Sequence, residues 1–479
     1  MSRVTKMSRT VCSALALSTI LFACKPGASS GRPADVLLIS LDTLRADRLS
    51  CYGGPEGSTP FLDSLAATGV RAAEAYSPSA QTAPSHMSLF TGLAPFAHGV
   101  TNVSSGADEC LRVANSRMTL PELFFDAGYA TAIFSDGGNV LPGMGFGRGF
   151  ESQRFTLGGV RGTLEAIREW LSDVDEEDPL FLFFHTYTTH APYLPPRKFR
   201  GRFTDPEYKG EFLRRYEQLA GKRRLDSFQA SGRFLDPFEG MGQRDIEFLS
   251  NLYNETVAYV DEVTERLFGI FDEYRNLDQT LSIVLSDHGE GFFEHESLGH
   301  RRGVYRELVH VPFLVNGPGL EPYVIGEPLD LTGLFSTVAE FIGLAGPADA
   351  EPSFLGALRG EPIDRPAHQQ LVLGLSAGRW RATVAEGSRL IVHQGQGEDG
   401  SKTQEETVLY ALDDRLEAEP LVADPRFDRL AALSAERAAK DLGLIRRAAP
   451  IKFSLSGGLG QKALEALGYT GVGSAPDDE

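Results

Sequence analysis

Residues Asp35–Leu41 read D-V-L-L-I-S-L, and Asp42 follows this continuous apolar run directly. A strand that is apolar on both of its faces is typical of a parallel sheet covered by helices on both sides. Leu180–Phe184 and Leu281–Ser286 are runs of the same kind, and each is also followed by a polar residue. The three runs predict neighbouring buried strands whose carboxyl ends carry chemistry-bearing side chains.

Helical patterns alternate with these runs, which favours a mostly parallel sheet flanked by helices, an α/β fold. Lys198–Gly242 is polar, aromatic and irregular, and it is expected to form a long loop region over a functional site at the carboxyl ends of these strands. The predicted helices are Thr59–Gly69, a helix after Gln81, Met118–Ala127, Leu164–Val174 and Arg244–Tyr274, and the further strands are Tyr129–Ser135 and Val309–Val315.

The pattern changes after Pro352. Short strands at turn-like spacing predict a smaller C-terminal antiparallel sheet, followed by two helices. We therefore divide the folded chain into a catalytic domain, 34–352, and an α+β subdomain, 353–479. The strands are Gln370–Leu375, Trp380–Val384, Leu390–His393 and Val408–Leu412, and the helices are Arg426–Leu442 and Leu459–Leu467.

The first 23 residues have the pattern of a signal peptide. Three basic residues precede the apolar run Val11–Ala23, which is too short to span a membrane as a mature helix. Leu21-Phe22-Ala23-Cys24 resembles the bacterial lipobox, so Cys24 would be lipidated, with 24–33 as a tether. This predicts export, a periplasmic location and a lipid anchor in a bacterial membrane. The alternative is ordinary secretion after cleavage near Ala23.

Composition limits the partners of the mature chain. The formal net charge of -19 argues against nucleic acid or anionic lipid held by charge alone. Cys51 and Cys110 are the two cysteines after Cys24. They can form a disulfide in an oxidising compartment or remain two free thiols, and the sequence leaves both open.

Thr82 begins the stretch T-A-P-S-H-M-S-L-F-T-G, in which Pro84 suits a first helical turn. Its hydroxyl can cap the helix or be presented to a ligand at the positive end of that helix. Asp42, Asp287 and His288 follow buried strands and would meet at one sheet edge. Together with Thr82 they predict a site for one divalent ion, in the preference order Mn, Mg, Zn, Ca.

A metal-bound hydroxyl loses its proton more readily, so Thr82 is the predicted nucleophile for transfer of a tetrahedral oxyanion. His190 and His300 are predicted catalytic residues that protonate the leaving group or hold oxygens, and His185 is predicted to bind substrate. His86, Arg302 and His295 are expected to be surface or loop residues.

The motifs together resemble the sulfatase family of the alkaline phosphatase superfamily, from about Asp35 to Tyr469. The matching pieces are D-V-L-L-I-S-L-D-T-L-R-A-D, T-A-P-S-H-M-S-L-F-T-G, H-T-Y-T-T-H-A-P-Y, S-D-H-G-E, G-H-R-R-G-V-Y and A-L-G-Y. The resemblance implies an α/β fold, a divalent metal and an anionic ester substrate. It also places Arg301 about where sulfatases have a substrate lysine.

The departures from that family concern the reactive centre. Sulfatases carry Cys or Ser, converted to formylglycine, where this chain has Thr82, and an Arg where it has His86. Their Asp-Asp pair is Asp42-Thr43, their Asp-Asn is Asp287-His288, and I-F-S-D-G-G-N replaces their lysine segment.

The set of Asp, Thr, Asp and His resembles instead the phosphoethanolamine transferases and lipoteichoic-acid synthases of the same superfamily, which transfer phospho-groups through phosphothreonine. A second metal would need another acidic ligand near Thr186 and Thr188. We therefore favour a phosphoesterase or phosphotransferase with Thr82 as nucleophile. The alternatives are a sulfatase that uses an unmodified hydroxyl and a catalytically silent, sulfatase-like binding protein.

Overall fold

A computed structural model describes residues 34–102, 109–155, 159–220, 234–300, 303–363, 365–372, 379–396 and 402–454. Sixteen strands lie in these ranges: β1 (Asp35–Leu41), β2 (Val70–Ala72), β3 (Ala75–Tyr76), β4 (Glu109–Arg112), β5 (Ala130–Ser135), β6 (Ser152–Phe155), β7 (Leu180–Thr186), β8 (Thr280–Leu285), β9 (Phe313–Asn316), β10 (Tyr323–Ile325), β11 (Leu329–Asp330), β12 (Ala367–Val372), β13 (Arg379–Ala385), β14 (Ser388–Gln396), β15 (Lys402–Ala411) and β16 (Ile451–Ser454).

The central sheet has eight strands in the order β10-β2-β9-β8-β1-β7-β5-β6. β1 lies in the middle and pairs in parallel with β7 and β8. β9 pairs antiparallel with both of its neighbours, whereas every other pairing in this sheet is parallel. The predicted mostly parallel sheet is therefore confirmed, and the carboxyl ends of β1, β7 and β8 lie side by side.

Helices cover both faces of this sheet. The described α-helices are α1 (Pro60–Thr68), α2 (Thr82–Thr91), α3 (Pro95–His98), α4 (Leu120–Asp126), α5 (Val160–Asp173), α6 (Glu211–Ala220), α7 (Gln243–Asp272), α8 (Arg306–Val309), α9 (Leu334–Phe341), α10 (Leu355–Leu358) and α11 (Phe427–Arg447). Val36 and Leu38 of β1 pack in one cluster with α2, α4 and α9. Leu37 and Ile39 face the opposite side and pack with α5 and α7. The alternation along β1 thus explains why the whole strand is apolar.

Two predicted elements differ from the structure. The region Lys198–Gly242 is not entirely irregular, because it contains α6, whose Phe212 and Tyr216 are buried at helical spacing. The strand predicted over Val309–Val315 begins only at Phe313, and a helical turn, α8, precedes it. At the start of this run the Val311 amide bonds to the Ala75 carbonyl of β3, and the Val309 and His310 carbonyls accept from the Ser77 and Ala46 amides, so these residues do not continue the ladder of β9.

The C-terminal strands β12–β15 form the predicted antiparallel sheet in sequential order. One of its faces packs on Tyr76, Val304 and Leu308. Its other face is covered by α11 through Leu430. The predicted helix Leu459–Leu467 and the predicted signal segment lie outside the described residues, and the domain boundary at residue 352 stays a prediction.

A buried ion pair ties this sheet to the segment after residue 302. Arg389 Nε lies 2.8 Å from Glu417 Oε1, and both side chains are almost fully buried. Arg389 also donates to the carbonyl of Val304, and Glu417 Oε2 accepts from the amide of Arg306 at 2.9 Å. We call these four residues the C-terminal clamp.

Two further observations concern a cysteine thiol and the helices. Cys51 is a free, half-buried thiol. Among the helices of the described ranges, none combines the length and the apolar character needed to cross a membrane.

Candidate active site

The acidic part of the site lies at the carboxyl edge of the central sheet. Asp42 follows β1 directly and Asp287 follows β8 by two residues, and both are completely buried. Thr43, between Asp42 and the next loop, has a φ of 58°, an uncommon conformation for a β-branched residue. This turn directs the Thr43 amide to Asp287 Oδ1 at 3.3 Å. This hydrogen bond links the ends of β1 and β8, and the uncommon φ of Thr43 is the backbone strain that accompanies it.

Thr82 is the first residue of α2 and presents its hydroxyl to these strand ends. The helix is preceded by Gln81, and no side chain forms a capping hydrogen bond there. Thr82 Oγ1 lies 3.3 Å from His288 Nε2 and 3.5 Å from Asp42 Oδ2. The structure therefore directs this hydroxyl into the site, at the positive end of the helix dipole, and not to the helix backbone.

The tautomer of His288 follows from its backbone contact. Its Nδ1 lies 2.9 Å from the carbonyl of Gly289, so Nδ1 carries the proton and Nε2 keeps a lone pair toward Thr82. Burial lowers the pKa of His288, although the charge of Asp287 opposes that effect. Gly289 fits here because a Cβ would lie 2.0 Å from the carbonyl oxygen of Glu307.

Two carboxylate oxygens in the site have no hydrogen-bond partner. They are Asp42 Oδ1 and Asp287 Oδ2, and both are buried. One ligand atom from each of Asp42, Asp287 and His288 lies within 4.8 Å of the others. Burial and the charge of Asp287 raise the pKa of Asp42 well above its ordinary value. A cation would reverse that shift, so the donor set fits a divalent ion, as the sequence predicts.

His86 is not a surface residue, and that expectation is wrong. It lies on α2 one turn after Thr82 and is completely buried. Its Nδ1 is 2.9 Å from the Thr82 carbonyl, and its Nε2 is 2.9 Å from Ser40 Oγ. The group His86, His185 and Asp287 also has metal-ligand spacing. The His86 nitrogen that faces Asp287 is Nδ1, at 3.6 Å, and its proton is bonded to the Thr82 carbonyl, while Nε2 is bonded to Ser40. His288 instead keeps a lone pair on Nε2, so the set of Asp42, Asp287 and His288 fits a cation better.

His185, at the end of β7, lies behind Asp42. Its Nε2 is 3.1 Å from Asp42 Oδ2, and its Nδ1 is 2.8 Å from Ser135 Oγ. Burial lowers its pKa well below the ordinary range, so the ring is neutral and its Nε2–H donates to Asp42. The completely buried His185 ring orients the Asp42 carboxylate in this structure. That His185 contacts substrate remains a prediction.

His190 and His300 lie next to each other beside the buried ligands. Their ring centroids are 5.2 Å apart, and the His300 ring is 4.3 Å from that of His288. The structure thus brings both predicted catalytic histidines to the site. Arg301 and Arg302 lie outside the described residues. His295, expected in a loop, is partly exposed and bonds through Nδ1 to Glu307 at 2.9 Å.

Sequence reasoning missed two carboxylates at this edge. Glu290 is completely buried and bonds to His300 Nδ1 at 2.9 Å. Asp136 follows β5 and accepts from Thr186 Oγ1 at 2.8 Å and from the Tyr187 amide at 2.7 Å. Burial raises the pKa of Asp136 to about 6. Asp42 was predicted because it directly follows a buried strand. The same rule would have found Asp136, which directly follows the predicted strand Tyr129–Ser135.

The sheet, the hydroxyl at the start of α2 and the Asp and His residues at the strand ends define a class, the ester hydrolases of the alkaline phosphatase superfamily. More specifically, the chain belongs to the sulfatase family, whose family model, described as Sulfatase, matches residues 34–344. Membership in that family makes the chain a sulfatase-like ester hydrolase.

Individual relatives agree with this assignment. The N-acetylgalactosamine-6-sulfatase of Canis lupus familiaris is 24% identical over 406 residues, which cover 74% of this chain and 72% of the relative. The N-acetylgalactosamine-6-O-sulfatase of Bacteroides thetaiotaomicron is 36% identical over 107 residues, but the match spans 22% of this chain and only 20% of that relative.

Two solved structures show the same fold. A protein solved in complex with its substrate D-glucosamine-2-N,6-O-disulfate has a TM-score of 0.68 at 18% identity, covering 86% of this chain and 99% of the other. The phosphonate monoester hydrolase of Agrobacterium radiobacter has a TM-score of 0.63 at 20% identity, covering 87% and 96%.

Proposed function

We propose that the chain is a metal-dependent hydrolase or transferase of phosphate or phosphonate esters, with Thr82 as its covalent nucleophile. The observation that carries the proposal is the position of Thr82 Oγ1, 3.3 Å from His288 Nε2 and 3.5 Å from Asp42 Oδ2. The hydroxyl has two acceptors for its proton and lies at a helix N-terminus, which favours an anionic ester in front of it.

The chemistry of threonine favours phosphoryl over sulfuryl transfer. Thr82 cannot be converted to formylglycine, so an intermediate formed on it has no second hydroxyl to expel sulfate. A phosphothreonine is instead resolved by a second in-line attack on phosphorus. Two phosphonate monoester hydrolases of known structure have the same fold, which is compatible with this substrate class.

Each residue of the site has its own role in the proposed reaction. Asp42, Asp287 and His288, with Thr82, would hold one divalent ion, whose charge lowers the pKa of the Thr82 hydroxyl and offsets the negative charge of the ester. Thr82 Oγ1 releases its proton to solvent and attacks phosphorus. The bond from phosphorus to the leaving oxygen breaks, its electron pair stays on that oxygen, and His190 or His300 protonates it. Water or an acceptor alcohol then attacks phosphorus from the side opposite Thr82 and gives its proton to that histidine. The Thr82–phosphorus bond breaks, and Thr82 Oγ1 regains a proton from solvent.

A true sulfatase that uses the unmodified Thr82 hydroxyl is the second candidate. Its support is the family membership over residues 34–344 and the sulfatase names of the curated relatives. On this alternative the same site would take a sulfate ester, because both esters present tetrahedral anionic oxygens to the same cation and helix N-terminus.

The test compares an aryl phosphate, a phosphonate monoester, a phosphodiester and an aryl sulfate on the purified, metal-loaded protein. Peptide mass mapping after acid quench should find phosphate on the Thr82 peptide. Faster turnover of the sulfate than of every phosphorus ester would refute the phosphoryl-transfer proposal and support the second candidate, a true sulfatase. Stoichiometric metal without turnover of any ester would favour the silent binding protein.

We also propose that the chain is exported and lipid-anchored through Cys24. The support is the basic segment, the short apolar run and the lipobox-like end in the sequence.

A further inference from the structure

We infer that Tyr253 is a positioning residue of the metal site, because its buried hydroxyl holds the strained turn after Asp42 in the conformation that the ligands require. The hydroxyl bonds to the backbone of that turn, so it would act on the ion only through Asp42. This inference rests on the proposed function, since it concerns the metal site of that same reaction.

The turn from Asp42 to Arg45 contains the strained residue. Thr43 has a φ of 58°, in the left-handed region, where the branched Cβ of threonine is crowded. The Thr43 side chain does not compensate for this strain, because its buried Oγ1 has no hydrogen-bond partner among the described residues. Relaxation of Thr43 to a negative φ would reorient the peptide group that joins it to Asp42, and with it the amide that donates to Asp287 Oδ1. A contact from outside the turn therefore has to hold Thr43 in place.

Tyr253 of α7 makes this contact on the far side of the strained residue. Its hydroxyl donates to the Thr43 carbonyl at 2.8 Å and accepts from the Arg45 amide at 3.0 Å. The side chain is completely buried, and its ring centroid lies 5.4 Å from that of Tyr193 and 5.1 Å from that of Phe292. The packed ring fixes the hydroxyl, and the hydroxyl fixes two backbone groups of the turn.

The middle of the turn is held from the sheet instead. The Leu44 amide donates to Ser286 Oγ at 2.9 Å, and the Ser286 hydroxyl donates to the His288 carbonyl at 2.7 Å. These bonds connect Leu44 with the ligand segment after β8, but they do not reach the Thr43 carbonyl. Tyr253 is the side chain that bonds to the carbonyl of the strained residue.

A turn that is already held in the metal-free protein gives a preorganised site. Without the Tyr253 hydroxyl, the Thr43 carbonyl and the Arg45 amide lose these bonds, and Thr43 can relax while the site is empty. An ion would then have to restore the turn as it binds. Its apparent affinity would fall by the fraction of molecules that keep the binding conformation.

The test is Tyr253→Phe, which keeps the ring and removes the hydroxyl. The full chain is stripped of metal with a chelator and titrated with Mn²⁺ by calorimetry. We expect the Kd for Mn²⁺ to rise by about tenfold, at the lower end of the roughly 10–100-fold effect of removing groups that support metal ligands. The melting temperatures with and without Mn²⁺ should also lie closer together in the variant than in the parent, which a loss of stability alone would not cause.

Tyr52→Phe is the matched control. The Tyr52 hydroxyl also bridges a backbone carbonyl and a backbone amide, since it donates to Ala72 at 2.9 Å and accepts from Phe313 at 3.1 Å. This bridge does not involve the turn after Asp42. Its loss should lower the melting temperature with and without Mn²⁺ alike and should leave the Kd within about twofold of the parent value.

Thr43→Gly tests the strain itself. Glycine adopts a positive φ without crowding, so the turn depends less on the Tyr253 hydroxyl once the threonine side chain is removed. In the Thr43→Gly background, Tyr253→Phe should raise the Kd for Mn²⁺ by only about twofold. This pair of variants also keeps the inference open to refutation should Tyr253→Phe alone not fold.

Equal Mn²⁺ affinity in Tyr253→Phe and the parent would overturn the inference alone, and so would an undiminished tenfold loss in the Thr43→Gly background. A parent protein that binds none of Mn²⁺, Mg²⁺, Zn²⁺ and Ca²⁺ would instead overturn the metal-dependent function proposed above, and this inference with it. The two failures are therefore distinguishable in one set of titrations.

Discussion

Replacing Thr82 by Val should abolish turnover while leaving the protein folded. Valine keeps the branched shape of threonine, so the 1% exposed position stays filled and only the hydroxyl is lost. That hydroxyl makes contacts of 3.3 and 3.5 Å, which are at the long end for hydrogen bonds. Their net contribution to the free energy of unfolding is about 1 kcal/mol in total. Asp42 Oδ2 also keeps its 3.1 Å contact to His185 Nε2.

The loss of activity should be much larger than this change in stability. Removing a covalent nucleophile from a hydrolase costs up to about 10⁶-fold in kcat, and even about 10³-fold corresponds to about 4 kcal/mol of barrier. Thr82→Ser keeps the hydroxyl and loses one buried methyl group, worth about 1 kcal/mol. Its kcat should fall by about tenfold, because the freed side chain samples other rotamers.

The assay combines thermal unfolding, metal content and turnover of the preferred ester on the same preparations. The melting temperature of Thr82→Val should stay within about 4 °C of the parent value. A Thr82→Val variant that is folded, loaded with metal and still turns over at more than about a tenth of the parental kcat would refute the nucleophile assignment, since position 82 would have no oxygen to form the ester.

Three further predictions follow from the metal ligands, the C-terminal clamp and the N-terminus. Asp287→Ala should lose most bound metal in elemental analysis. In the parent protein, metal affinity should fall as pH falls, because protonated His288 cannot coordinate a metal. Burial lowers the pKa of His288, so metal binding should persist to a pH below the ordinary pKa range of histidine. Arg389→Leu should lower the free energy of unfolding by about 3–5 kcal/mol in denaturant titrations, because Glu417 would stay buried without its cation, and replacing both residues by leucine should cost less. Cys24→Ser should move the protein from the membrane to the soluble fraction, and an unmodified N-terminus by intact mass in the parent would contradict the anchor.

The sequence was informative wherever a buried strand ended. Asp42 and Asp287 were predicted together because parallel strands carry their carboxyl ends to one edge, a rule that needs no long-range information. His86 was missed although it lies one helical turn after Thr82, where side chains share a face. The bond between Glu290 and His300 could not be predicted, because it depends on the hairpin that the intervening loop forms.

The C-terminal clamp also affects the order in which the parts of the active site can fold during biosynthesis. The amide of Arg306 is held by Glu417, 111 residues further along the chain. A ribosome therefore exposes every proposed catalytic residue before it exposes the groups that hold the segment following His300. We expect chains shortened to residue 352 to be cut by proteases near Val304 and to leave the apolar surface around Leu308 uncovered. Resistance of such chains to limited proteolysis would show that the site is already complete before the C-terminal sheet is made.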